Sequence, residues 1–329
     1  MTANPTNAKI ATRRLAADAG GIAEAAKFIS AGGLVAFPTE TVYGLGADAT
    51  NARAIARLFE AKERPSFNPL IAHVTSLEAA WRIGEFDNAA SWLAANFWPG
   101  PLTLVVPAMP DCPVCDLARA GLDTVALRVP GHAIAQALIA AAGKPVAAPS
   151  ANRSGHVSPT TADHVLADLA GRIDVVLDGG PAPVGIESTI VDCTGAPPRL
   201  LRTGAIARTT LEEALGAPIA DAAGADQPAS PGRLATHYAT RARLRLDATE
   251  VRAGEALLAF GPGLPRNAEH AVQILDLSPT GDLREAAANL FAHLRALDAC
   301  GAAAIAAAPI PAEGLGEAIR DRLTRAAAR

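Results

Sequence analysis

Aromatic residues are scarce in this chain, only 4% of its 329 residues, and methionine occurs twice. Long apolar runs are missing as well. No stretch reaches the roughly 18 residues that a spanning helix needs, and the opening MTANPTNAKIATRR lacks the apolar core of a signal peptide. The chain therefore reads as a cytoplasmic protein with no membrane segment. Four cysteines in a chain of this length do not make a disulfide framework. Cys112 and Cys115 form a single Cys-x-x-Cys in a proline-rich loop. A zinc or redox pair is one reading of it and two incidental thiols the other; the lack of a second pair at metal-ligand spacing favours the latter. Extended basic tracts are also missing. Net charge is −4, with only short clusters such as Arg241–Arg245, which argues against clamping a nucleic acid as the main role and leaves small anionic substrates open.

Familiar catalytic signatures are absent too. There is no Gly-x-x-x-x-Gly-Lys-[Ser/Thr], no strand-linked Gly-x-Gly-x-x-Gly, no His-Glu-x-x-His and no Gly-x-Ser-x-Gly. An enzyme built from this sequence would work by positioning and electrostatics and would not form a covalent intermediate.

What is present is an α/β rhythm long enough for two domains. Half the residues are hydrophobic, a figure inflated by alanine, and 19% are charged, as in globular proteins. Helical spacing over Ile22–Ile29 stops at Gly32-Gly33, and a strand follows over Leu34–Phe37. Asn51 caps a helix that runs to Lys62, before Pro65 forbids continuation. Further strands are expected at Leu70–Val74, Leu102–Val106, Thr124–Val129, Pro145–Ala148, Val175–Leu177, Thr189–Val191 and Arg199–Leu201. Helices are expected at Ala89–Phe97, His132–Ala142, Ala162–Leu169 and Leu211–Leu215, the last with Thr210 and Glu213 as a capping box. From Gly216 to Thr240 the pattern dissolves into Ala, Pro, Gly and Asp, a long linker. A smaller open-sheet α/β module then follows, with strands at Leu257–Phe260, Val272–Leu277 and Ala302–Ala307 and helices at Leu283–Leu297 and Gly316–Ala328. The expected domains are 1–215, a 216–240 linker or lid, and 241–329.

Polar clusters sit where strands end, the place where open α/β sheets build sites. PTETVYGLG (Pro38–Gly46) offers hydroxyls on a close-approach loop, or is an ordinary turn. KERPSFNPL (Lys62–Leu70) places Lys62 and Arg64 where they complement a helix dipole, or where they converge with Asn68 on a triphosphate. His73 lies inside a strand, where a satisfied core histidine is the commoner outcome. Arg128, between Leu127 and Val129, needs an anion if buried: a substrate carboxylate or an internal ion pair. APSANRSGHVSPT (Ala148–Thr160), GIESTIVD (Gly185–Asp192) and LLRTGAI (Leu200–Ile206) repeat the arrangement.

Taken in order, PTETVYGLG, Lys-x-Arg-Pro with NPL, Leu-Arg-Val-Pro, PSAN-x-SG, GIESTIVD and LLRTG resemble the YrdC-like threonylcarbamoyl-adenylate synthase family. SPGRLATHYA and the ending GLGEAIRDRLTRAA are similar to its longer, two-domain branch. The resemblance covers nearly the whole chain, from about Ala25 onward. It implies a twisted mixed YrdC-like sheet with helices, followed by a smaller Rossmann-like open-sheet domain. It also implies synthesis of threonylcarbamoyl-AMP and pyrophosphate from L-threonine, bicarbonate and ATP with Mg2+, a nucleotidyltransferase activity serving tRNA modification. The product would pass to a downstream tRNA threonylcarbamoyl-transferase complex, with weak tRNA or double-stranded RNA contact as a further partner.

Residue by residue, the resemblance assigns catalysis to Lys62, Arg64, Ser150 and Asn152. L-Threonine falls to Thr41, His73, Arg128, the Ala148 backbone and Ser188. ATP falls to Arg64, Asn68, Thr124, Ser150, Ser158, Arg202, His237 and Tyr238. Three positions depart from the family pattern: Arg233 replaces a methionine, Thr240 a proline, and Ala182 a common cysteine. The sequence leaves open how tightly the segment after Tyr238 closes over the site without that proline. Rival readings are an RNA-binding module of the same fold, disfavoured by the net charge, and a hydrogenase-maturation carbamoyl transferase, whose acylphosphatase-like segment and zinc motifs are missing. The linker is expected to fold over the first domain's site, carrying His237 and Tyr238 as a lid.

Overall fold

The structure is a computed structural model that describes residues 11–221 and 238–328. Most of the expected linker, His237 and Arg233 lie outside the described residues. Among the described residues, an eleven-stranded mixed sheet forms the larger part. From one edge to the middle it runs Arg13–Ala16, Val175–Asp178, Val35–Phe37, Gly44–Asp48 and Val146–Ala147. It continues with Ile71–His73, Thr124–Arg128, Leu102–Pro107, Thr189–Asp192, Arg199–Arg202 and Ala220–Asp221.

The central strands are apolar almost without interruption because helices cover both faces. On one face Ile55, Leu58, Leu93 and Val165, from helices Ala52–Lys62, Asn88–Phe97 and Ala162–Leu169, pack on Leu45, Leu104 and Leu127. On the other, Ile29 and Leu138, from Ala19–Ser30 and Ala133–Ala142, pack on Val35, Phe37 and Val175. The Asn51 cap forms as expected. Its side chain accepts from Arg53 N and Ala54 N, and the helix ends at Lys62 with Glu63 left-handed at φ 53°.

Other expectations are revised by tertiary contacts. The segment Pro38–Gly46 is only half a loop, since Gly44–Asp48 forms a strand antiparallel to Val35–Phe37. Glycine at position 46 permits it, because a Cβ there would lie 2.8 Å from the Phe37 ring. The helix expected at Leu211 begins at Arg208, with Ala207 as an N-cap that makes no side-chain bond, so the Thr210–Glu213 capping box does not form. Its start is set from outside: Thr189 Oγ1 donates to the Ile206 carbonyl at 2.7 Å and accepts from Ile206 N at 2.9 Å. Ala220–Asp221, read as linker, instead pairs with Arg199–Leu200 and closes the sheet edge.

The second part is a four-stranded parallel sheet in the order Arg243–Arg245, Ala304–Ala307, Glu255–Ala259, Ile274–Asp276. Helices Leu283–Ala299 and Leu315–Ala327 supply Leu290, Phe291, Leu294, Ile319 and Leu323 to its core. That core does not stop at the domain boundary. Val42, Val157 and Ile186 of the first part belong to the same apolar cluster, as does Tyr238. Two ion pairs flank the junction, Arg295–Asp168 at 2.8 Å and Arg208–Glu317 at 2.6 Å.

The two parts press together at Gly185, where φ is +79° and a Cβ would lie 2.3 Å from the Ala287 carbonyl oxygen and 2.5 Å from Ala288 Cα. Gly143 is also left-handed, at φ +67°, but has nothing within 4 Å of its Cβ position. Gly143→Ala should cost only the left-handed backbone penalty, about 1–2 kcal/mol. Gly185→Ala should cost clearly more, because helix Leu283–Ala299 must also move away. Chemical denaturation of both variants checks this, and equal losses would mean the domains do not press on each other at Gly185.

Candidate functional site

The site opens at one end of the central strands. Parallel pairing of Ile71–His73 with Thr124–Arg128 sets His73 opposite Arg128, and the backbone N–H of Ala148 donates to the Ile71 carbonyl at 3.0 Å. Around this point lies a cavity. Thr41, His73, Arg128, Ala148 and Ser188 border it together, five residues that the family resemblance had grouped. Arg64, Ser150, Arg202 and Tyr238 border it as well.

Arg128 is only 4% exposed and is held on three sides. It donates to Glu40 Oε1 at 2.6 Å, to Thr41 Oγ1 at 3.1 Å and to the Gly100 carbonyl at 3.2 Å. The internal ion pair foreseen as the alternative to a ligand role thus exists alongside a cavity-facing position. The Glu40 carboxyl is held below its usual range: burial alone would raise it, but Arg128 outweighs that. Its Oε2 is buried with no hydrogen-bond partner among the described residues. His73 Nδ1 lies 3.2 Å from the Ile71 carbonyl. Burial, then the Arg128 charge, push its pKa down to about 3, so the imidazole is neutral near pH 7.

Arg202 wraps Ser188, donating from Nε at 3.1 Å and from a terminal nitrogen at 2.9 Å to the Ser188 carbonyl, and to Ser188 Oγ at 3.1 Å. Ser188 Oγ also meets Thr103 Oγ1 at 2.8 Å. Arg64 donates to the Asn68 and Pro69 carbonyls at 3.4 and 3.3 Å, while its Nε is buried without a partner among the described residues. Burial brings both arginines down to about 10, in Arg64 helped by the neighbouring Arg202, and both stay cationic at neutral pH.

Other sequence-assigned residues lie behind this wall. Lys62, 1% exposed, does not face the cavity. Its Nζ donates to the Ser150 carbonyl at 2.5 Å and to the Asn152 carbonyl, and burial, then Arg64, lower its pKa well below the ordinary lysine value. Asn152 Nδ2 donates to the Arg153 and His156 carbonyls at 2.8 and 2.9 Å. Together these two shape the loop that presents Ser150. Asn68 is buried with Oδ1 unpartnered among the described residues. Thr124 sits at the far end of its strand, opposite Pro107, and does not border the cavity. Ser158 does not border it either, but donates to Glu187 Oε1 at 2.6 Å. His237 lies outside the described residues.

The chain after Tyr238 is tied at two points, one of them through the threonine at 240. Ala239 N donates to the Gly155 carbonyl at 2.7 Å, and Thr240 Oγ1 to the Ala242 carbonyl at 2.7 Å. Sequence reasoning missed Glu187, which borders the cavity together with Val42, Ile71 and Pro149. The motif Gly185–Asp192 had been singled out, yet a carboxylate beside arginines looks out of place in a site for anions. Burial alone would raise this carboxyl, but Arg322 and then Arg202 outweigh it and bring it down to about 2.

Known proteins share this architecture. The family model described as "Telomere recombination" matches residues 27–204, and "Threonylcarbamoyl-AMP synthase, C-terminal domain" matches residues 206–328. Threonylcarbamoyl-AMP synthase of Pyrococcus abyssi is 41% identical, with 92% of this chain and 92% of the relative covered. The protein of that name from Bacillus subtilis is 40% identical over 93% of this chain and 92% of its own. The crystal structure of P. abyssi Sua5 complexed with L-threonine superposes with a TM-score of 0.86 at 38% identity, covering 97% of each chain.

The neutral His73 has a consequence for stability. Its folded pKa of about 3 lies below the ordinary 6.5, so between those values the unfolded chain binds a proton that the folded one refuses. Stability is therefore complete above pH 6.5 and falls as pH drops, by about 1.4 kcal/mol per unit from this group. Urea unfolding of wild type and His73→Gln should show a difference that is constant above pH 7 and moves against wild type below pH 6. A difference independent of pH from 7.5 to 4.5 would mean that His73 ionises normally.

Proposed function

Because the chain belongs to the threonylcarbamoyl-AMP synthase family, we propose that it converts L-threonine, bicarbonate and ATP into threonylcarbamoyl-AMP and pyrophosphate, as a nucleotidyltransferase of tRNA modification. The observation that carries this reading is a single cavity with two chemically distinct walls. One wall, Thr41, His73, Arg128 and Ser188, suits an amino acid. The other, Arg64, Ser150 and Arg202, suits phosphates.

The threonine carboxylate is received by Arg128, whose planar fork matches two carboxylate oxygens. The hydroxyl is met by the polar groups of Thr41 and Ser188. The amine condenses with bicarbonate, forming an N–C bond and releasing water, and one carbamate oxygen then attacks the α-phosphorus. The bond from the α-phosphorus to the bridging oxygen of the β-phosphate breaks, and pyrophosphate leaves with that electron pair. No protein nucleophile is needed. The chain's work is to align carbamate and phosphate and to offset the charge that shifts onto the leaving group, the task of Arg64 and Arg202. Lys62 contributes by fixing the backbone of Ser150 and Asn152.

Among the described residues, no group of three or more His, Cys, Asp and Glu side chains is arranged to hold a metal ion. Mg2+ would accompany the triphosphate, as it commonly does, and would shield phosphate charge there. Also among the described residues, no helix is long and apolar enough to cross a membrane, in keeping with work in the cytoplasm. Passage of the product to a tRNA threonylcarbamoyl-transferase complex is part of the same proposal.

Pyrophosphate release should need all three substrates, and serine should be poorer than threonine by about 1–3 kcal/mol for the lost methyl contact. Release without any amino acid would refute the synthase reading. Arg64→Ala should slow turnover about tenfold or more, roughly 1.4 kcal/mol in the barrier, with little change in thermal midpoint. A variant that mainly unfolds would show Arg64 to be structural. Arg128→Lys should weaken threonine binding far more than ATP binding in separate calorimetric titrations; unaltered threonine affinity would remove Arg128 from the carboxylate.

A further inference from the structure

The last helix, Leu315–Ala327, sends one residue into the first domain. Arg322 is 0% exposed. Its Nε donates to Glu187 Oε2 at 2.9 Å and a terminal nitrogen donates to the Thr203 carbonyl at 2.8 Å. Its guanidinium carbon lies 5.7 Å from the centre of the Tyr238 ring, which stacks on Phe291 at 5.3 Å. Tyr238 holds φ +65°, a left-handed backbone that a bulky side chain adopts only when its surroundings impose it. Two of the side chains that Arg322 contacts, Glu187 and Tyr238, border the cavity. The second anion near Arg322, Asp321 at 2.8 Å, is shared with Arg325 at 2.9 Å.

We propose that Arg322 is a positioning residue of the synthase: reaching in from the second domain, it balances the Glu187 carboxylate and braces Tyr238, so that the cavity wall offers the nucleotide's phosphates net positive charge. This rests on the ATP-dependent reading above. A carboxylate in that wall is a liability for a polyanionic ligand, since an unbalanced one repels phosphate and draws on the charge of Arg202. Ser158 Oγ supplies a hydrogen bond to Glu187 but no charge. Arg322 supplies the charge from behind the wall, buried and not bordering the cavity itself. On this view the second domain is part of the site's electrostatics, and a first domain alone would keep Glu187 without its balancing cation.

The test is ATP binding by calorimetry on the full-length chain. Wild type must bind ATP; if it does not, the functional reading fails before this one is reached. Arg322→Met should weaken ATP binding about tenfold or more, because it leaves Glu187 charged, buried and unbalanced. Adding Glu187→Gln should recover most of that loss, which a purely structural role for Arg322 would not allow. Should Arg322→Met alone fail to fold, the double variant is compared with wild type directly. ATP affinity within about tenfold then supports the proposal, since removing both charges of a buried pair is tolerated where removing one is not. An unweakened Arg322→Met overturns it. So does a double variant that does not fold, or that binds ATP as poorly as the single, because Arg322 would then hold the domains together without setting the charge of the wall.

Discussion

Positive charge held out of water is the constraint on which this molecule is organised. A site for a triphosphate and a carboxylate needs cations that are partly dehydrated, since a solvated arginine attracts an anion only weakly. Each such cation must be answered before any ligand arrives. The answers differ from residue to residue. Lys62 is met by two backbone carbonyls, Arg128 by Glu40, Arg202 by the backbone and hydroxyl of Ser188, and Arg322 by Glu187. Each answer ties a loop or helix to the sheet edge, so the network that preserves charge also fixes the walls of the cavity.

The second domain belongs to this network. It shares an apolar cluster with Val42, Val157 and Ile186, three residues that neighbour polar positions of the site. Its helix Leu283–Ala299 approaches Gly185 so closely that a side chain there would overlap backbone, and Gly185 lies three residues before Ser188. Arg295 donates to the carbonyls of Val157 and Ser158 as well as to Asp168. A small open-sheet module is thus a buttress for the loops that border the cavity. That arrangement gives a physical reason for the second domain even though most of the cavity's lining comes from the first.

Charge placement also sorts residues that family resemblance had grouped together. Arg64, Arg128 and Arg202 border the cavity, whereas Lys62 and Asn152 shape the loop behind Ser150 and Ser158 supports Glu187. Residues that serve one reaction need not all touch its substrates. Substituting those behind the wall should act through loop geometry, and substituting those on it through charge.

The sequence by itself determined the α/β class, most strands and helices, and the polar clusters at strand ends. These are written locally, in apolar runs bounded by Gly and Pro and in side chains such as Asn51 that cap their own helix. Resemblance to a known family, and not local pattern, singled out the nine residues that share one cavity. Tertiary structure decided the rest. The hairpin through Gly44–Asp48 depends on Phe37 lying against Gly46, and the start of helix Arg208–Leu215 depends on Thr189, nineteen residues earlier. The segment around the threonine at 240 is held from outside, by the bond of Ala239 to the Gly155 carbonyl. Glu187 was hidden for the same kind of reason. Whether a carboxylate repels a ligand or is balanced depends on which cation lies behind it, and here that cation is Arg322, 135 positions away. Local pattern specifies elements, but the burial of charge is settled only by what the folded chain brings to face it.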